Sequence, residues 1–154
     1  MRCICLAVSI VFVMFLASGC GEEEEEQVPT TGTVSGTVTF IGAPPEGGGE
    51  IRVSIFSILD ENGDPMGPPD HYSELFEELT GEVLYEISGV SFGTYKLAAV
   101  GYKAPDWPSG RQTILGRYGV SSADDMQPDP FEVSEEKPDV TGIDIVASYA
   151  AIEQ

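Results

Sequence analysis

Basic residues are scarce in this chain. Seven lysines and arginines stand against 26 aspartates and glutamates, a net charge of −19 over 154 residues. So acidic a surface repels polyanions, and on that ground nucleic acid is excluded as a partner. Histidine is nearly absent. A Ser-His-Asp arrangement would have to use His71, the only one, which stands in the polar stretch DHYSE. No catalytic constellation is visible, and among 26 acids no paired-carboxylate site can be singled out. Cysteine is confined to Cys3, Cys5 and Cys20. Beyond Cys20 there is therefore no thiol, no disulfide and no thiolate metal site. The long apolar run, Ile4 to Ala17, is shorter than the ~20 residues of a comfortable membrane span. No internal repeat of significance is present.

What is there begins with a seam, ASGCGEEEEE, where grease gives way to charge. Met1 and Arg2 supply a positive front end, the apolar run follows, and Ala17, Ser18 and Gly19 are small. These are the marks of a signal peptide over residues 1–19. With Leu16, the stretch LASGC resembles the lipobox of bacterial lipoproteins. It departs from that pattern at the third position before the cysteine, where Ala17 replaces the usual Leu. The resemblance implies cleavage before Cys20 and a diacylglyceryl group on its thiol. A thiol suits that role because its thiolate is accessible near neutral pH. The alternatives are an ordinary signal peptide or an uncleaved anchor. Acyl chains would then make the membrane contact, each buried CH₂ contributing ~0.8 kcal/mol.

Loss of residues 1–19 would leave 135 residues, six of them basic and 26 acidic, for a net charge of −20. That length suits one domain with one core. Glu22 to Glu26 and the following QVPTT cannot fill a core, and like charges extend the chain. Residues 20–31 therefore read as the lipidated cysteine and a tether, reaching up to ~35 Å. An acidic run just behind a lipidated cysteine also resembles surface lipoproteins of some Gram-negative groups. Together with Gly21, it implies an outer-membrane protein displayed on the outside.

From Gly32 the texture alternates. TVSGTVTFI sets Val34, Gly36, Val38 and Phe40 against Thr33, Ser35, Thr37 and Thr39, the period of a half-buried strand. EIRVSIFSIL aligns Ile51, Val53 and Ile55. EVLYEISGV aligns Val83, Tyr85 and Ile87. GTYKLAAVGY is expected to put Tyr95, Leu97 and Ala99 on one face. TILGRYG and FEVSE are shorter candidates, and VTGIDIVAS aligns Ile143, Ile145 and Ala147. Short strands broken by Gly/Pro turns such as GAPPEGGG and DENGDPMGPP predict an all-β antiparallel sandwich of about seven strands over residues 32–150. One segment dissents. In DHYSELFEEL, Tyr72, Leu75, Phe76 and Leu79 follow helical spacing, Asp70 can cap the start and Gly81 stands past the end. It predicts one short helix.

The motifs GTVSGTVTF, YEISGVSFGTYKLAAV and VTGIDIVA resemble prealbumin-like or carboxypeptidase-regulatory-like β-sandwich modules, across most of residues 32–149. Immunoglobulin-like sandwiches share the outline. In this pattern Gly93 would take positive φ at a tight turn. Tyr95 would return its hydroxyl to the backbone, as in a tyrosine corner. Such modules are accessory or binding units, so the resemblance implies a non-catalytic envelope lipoprotein and little chemistry.

Two groups of residues are candidates for function. Asp60, Asn62 and Asp64 alternate in DENGDP, as oxygen ligands do around calcium. Gly63 and the missing Glu break the EF-hand pattern, and a plain Asn-Gly turn is the simpler expectation. No other cofactor is expected. In GYKAPDWPSGR, Trp107 lies between prolines that stiffen the loop, with Tyr102, Arg111 and Tyr118 near in sequence. An exposed ring there would hold a sugar or an envelope protein; a buried one would plug the end of the core.

Overall fold

The first strand forms where the alternation is cleanest. In the computed structural model, which describes residues 29–108, 112–120 and 127–152, β1 (Thr31–Ile41) buries Val34, Val38 and Phe40 on one face. Residues 1–19, Cys20, Glu22 to Glu26 and Arg111 lie outside the described residues. β2 (Glu50–Phe56) buries Ile51, Val53 and Ile55. It is followed by a two-residue strand, β3 (His71–Tyr72), and by the long β4 (Gly81–Ser91). Then come β5 (Gly93–Tyr95), β6 (Leu97–Lys103), β7 (Gln112–Arg117) and β8 (Phe131–Val133). β9 (Asp139–Val140) and β10 (Ile145–Ser148) precede a closing 3₁₀ turn, Tyr149–Ile152.

Two four-stranded sheets face each other. One runs β10-β1-β4, with β9 also paired to β1; the other runs β3-β2-β6-β7. A two-stranded ladder, β5-β8, stands beside them. The chain is thus the all-β sandwich that the alternation implied. Pairing is antiparallel except where β9 and β10 lie parallel to β1. Val34, Val38, Ile87 and Ile145 of one sheet meet Ile51, Val53 and Val100 of the other, all 2% exposed or less. Each such side chain contributes roughly 1.5–3 kcal/mol by leaving water.

The closing segment explains one glycine. A Cβ on Gly36 would sit 2.2 Å from the carbonyl oxygen of Ile143. That same oxygen accepts the hydroxyl of Tyr85 at 2.7 Å, and the Ile143 amide donates to Ser35. Gly36 makes room for a backbone crossing that Tyr85 then fastens.

Three expectations need correction. The segment 70–79 is not helical. The amides of Asp70, Ser73 and Phe76 donate to the carbonyls of Ile55, Val53 and Ile51, so three residues advance along the edge for every two on β2. That irregular edge repeats every three residues and imitates a helical spacing. Phe76 and Leu79 pack on the core, while Tyr72 and Leu75 are exposed. Second, Tyr95 does not share a face with Leu97 and Ala99. The chain changes sheets at Lys96, so Ala98, Val100 and Tyr102 join the core with Tyr95. Leu97 and Ala99, though buried, lie on the outer face, opposite Phe56 and Ser54. Third, Gly93 does not have positive φ; it pairs with Val133 in a regular ladder. Positive φ falls instead on Gly89, at 68°. Gly32 pairs with Val90 and Thr33 with Ser88, so Gly89 is the extra residue of a bulge. The bulge resets the alternation, which is why Ile87 and Val90 both point inward. Tyr95 behaves as the resemblance implied: its ring is buried and its hydroxyl donates to the Ser91 carbonyl at 2.9 Å.

Candidate ligand-binding groove

β2 and β6 lie side by side, and their outward residues stand in register. Glu50 is opposite Lys103, Arg52 opposite Gly101, and Ser54 opposite Ala99. Gly101, Ala99 and Ser54 are small, so the middle of this outer face is depressed. The loop Asp64 to Pro69 rises on one side and Trp107 on the other, enclosing a groove of about 700 Å³. β1 ends at Ile41 and the next turn leads to Glu50. The Glu50–Lys103–Trp107 end of the groove is therefore at the end of the sandwich away from Thr31.

Charged and aromatic side chains form a continuous row across this face. The Arg52 guanidinium lies 4.6 Å from the centre of the Tyr72 ring. Its Nη2 is 3.3 Å from Glu50 Oε2. That oxygen is 3.9 Å from Lys103 Nζ, which in turn is 5.4 Å from the centre of the Trp107 ring. Each cation–ring contact contributes ~0.5–1 kcal/mol at an exposed site. Tyr72 is 56% and Trp107 44% exposed. Trp107 thus does not plug the core. Its loop closes with the Trp107 amide on the Ala104 carbonyl.

The opposite wall is pinned by Arg117 of β7. Its guanidinium donates to the Gly63 carbonyl at 2.7 Å and to Asp64 Oδ1 at 2.6 Å. The arginine side chain is only 12% exposed but that of Asp64 is 59% exposed, so water still screens the pair from the aspartate side. Within the same loop, Asp60 Oδ1 accepts the amides of Asn62 and Asp64, both at 2.9 Å. Chiefly the Asp64 amide holds the Asp60 carboxyl below the usual carboxylate range; slight burial opposes it and Asn62 adds to it. The three residues proposed for calcium are thus brought together, but an oxygen of each of the two carboxylates is already engaged. Asp60 binds backbone and Asp64 binds Arg117. Among the described residues no group of three or more His, Cys, Asp or Glu side chains converges to hold a metal.

The aromatic candidates divide. Trp107 and Tyr102 both line the groove. The Tyr102 ring is buried, and its hydroxyl donates to the Gly48 carbonyl at 3.2 Å. Tyr118 packs elsewhere, edge-on to Phe131 at 6.3 Å. Arg111 is outside the described residues. His71 accepts the Ser91 amide through Nε2 at 3.3 Å and meets the Tyr95 ring edge-on. Arg52, Glu50, Lys103 and Tyr72 were missed by sequence reasoning. Their signal was present in EIRVS, where Glu50, Arg52 and Ser54 alternate with the core residues; a polar strand face ordinarily means only solvent.

No protein-family model matches the chain, and no curated protein or solved structure is significantly similar to it.

Proposed function

We propose that this chain is a lipid-anchored, non-catalytic protein of a bacterial envelope, and that its sandwich binds a carbohydrate in the groove. The observation that carries the binding role is the pair of exposed rings, Trp107 and Tyr72, flanking a charged floor. Exposed aromatic faces stack on sugar rings, and planar charged groups between them meet hydroxyls in defined directions. The anchor rests on LASGC and Cys20. The acidic run behind Cys20 supports an outer-membrane location with the domain facing outward. The groove's Trp107 end then points away from the tether.

Two experiments test this reading. Metabolic labelling with a radioactive fatty acid should mark the wild type and not Cys20→Ala; equal labelling removes the lipoprotein assignment. Trp107 is the only tryptophan, so its emission reports directly on the groove. A panel of soluble saccharides and peptides should contain saccharides that change that emission saturably. Silence toward the whole panel overturns the binding role, and response to peptides alone makes the module a protein binder.

A further inference from the structure

The groove's charge narrows the class of ligand. Cations are the scarcest resource of this chain, seven against 26 acids. Two of them, Arg52 and Lys103, nonetheless stand on adjacent strands on the groove floor. The acid between them is Glu50, whose side chain is about half exposed at the start of β2. Its contacts of 3.3 and 3.9 Å are long, and exposed pairs of this kind hold weakly. Glu50 is therefore a replaceable counter-ion. An incoming carboxylate can take its place, with the guanidinium fork offering two parallel N–H groups.

The geometry also fixes direction and length. Tyr72 is on β3 and Lys103 on β6, with β2 between them. Tyr72 pairs with Ser54 and Lys103 with Glu50, so two strand spacings of ~4.8 Å across combine with four residues of ~3.3 Å along β2 to separate Tyr72 from Lys103, the neighbour of Trp107, by roughly 16 Å. A single pyranose ring does not bridge that gap, whereas an oligosaccharide does. A peptide gains little here. β2 and β6 are bonded to neighbours on both edges, so the floor offers no free backbone ladder, and the wall prolines Pro65, Pro68 and Pro69 carry no N–H. The acidity of the whole chain opposes any anion. At physiological salt that field is screened beyond ~8 Å; of the two acids lining the groove, Asp64 is paired with Arg117 and Glu50 is the counter-ion to be displaced, which leaves the two floor cations to meet the ligand.

We propose that the groove takes an acidic oligosaccharide lying obliquely across the strands, with a sugar ring on each of Tyr72 and Trp107 and a uronate carboxylate on Arg52 and Lys103. This rests on the carbohydrate-binding role proposed above. The test uses the purified full-length protein in mild detergent with a chelator present, and reads Trp107 emission. The probes are oligogalacturonate, its methyl ester and a neutral dextran oligosaccharide. Oligogalacturonate should bind saturably, about tenfold or more tightly than its ester, and added salt should weaken it. Arg52→Gln and, separately, Lys103→Gln should abolish that preference while leaving the circular dichroism spectrum unchanged. An ester or dextran that binds as well as the acid overturns the inference and leaves the carbohydrate role standing. Silence toward all three probes overturns the inference; silence toward every saccharide and peptide of the wider panel overturns the binding role with it.

Discussion

Replacing Tyr85 by Phe removes one hydroxyl and tests how the sandwich is closed. Tyr85 is 6% exposed, and its hydroxyl donates to the Ile143 carbonyl at 2.7 Å, bridging 58 positions of sequence. The carbonyl lies against Gly36, where a Cβ would be 2.2 Å away. The Tyr85→Phe variant would leave this buried acceptor without its hydroxyl donor, at a cost of ~1–3 kcal/mol. With a urea m-value of about 2 kcal/mol per M, a loss of about 2 kcal/mol lowers the midpoint by about 1 M. Urea titration followed by far-UV circular dichroism measures it. A second readout is alkaline. Burial first, then the charges of Asp144 and Tyr118, raises the Tyr85 hydroxyl far above its ordinary value of 10.0. The unfolded chain ionises at pH ~10 while the folded chain still holds the proton. Stability is therefore fully present below about pH 10 and falls as pH rises, by up to ~1.4 kcal/mol per unit for this group. Burial also raises Tyr95 and Tyr149, so the variant keeps a slope, but a shallower one. An unchanged midpoint together with an unchanged alkaline slope refutes the closure argument.

Gly36→Val places a side chain against the Ile143 backbone and should destabilise the domain by ~1–3 kcal/mol or more. Gly93→Val meets nothing within 4 Å and should leave the urea midpoint nearly unchanged; the reverse order would contradict the assigned register. Calcium at micromolar concentration should give no saturable heat on titration, because Arg117 and backbone amides already engage Asp64 and Asp60; a saturable site lost in Asp60→Ala would reinstate the metal. If the glutamate run directs display, replacing Glu22 to Glu26 by Ala should protect the domain from protease added to intact cells without abolishing lipidation, whereas equal digestion of both would reduce the run to a spacer.

β1, β2 and the closing segment were legible because each carries its own two-residue period, whereas the face of β6 was misassigned because the chain changes sheets at Lys96. Val34 and Val38, Ile51 and Val53, Ile143 and Ile145 needed no knowledge of their partners. The segment 70–79 was not legible, because its three-residue period comes from the irregular way it lies on β2 and exists only in the assembled edge. The bulge at Gly89 was hidden for a similar reason: it compensates the shift between β1 and β4, which neither strand shows alone. Of the groove, Trp107 could be picked out by rarity and by its flanking prolines. Tyr72, Arg52, Glu50 and Lys103 could not, since their significance lies in the order β3-β2-β6. A polar residue on a strand says which face it occupies, and nothing about what stands across from it.

The placement of β1 has a mechanical consequence. It is bonded to β4 from Thr31 to Phe40 on one edge, and to β9 and β10 on the other. A pull transmitted through residue 31 acts along the length of this strand, so the ladder bonds on both sides are loaded in shear and must give way together. Peeling, which breaks such bonds one at a time, is the geometry of a strand pulled from its edge, and β1 has neighbours on both sides. The element nearest the proposed anchor is thus the one best placed to resist drag on whatever the far end of the sandwich holds.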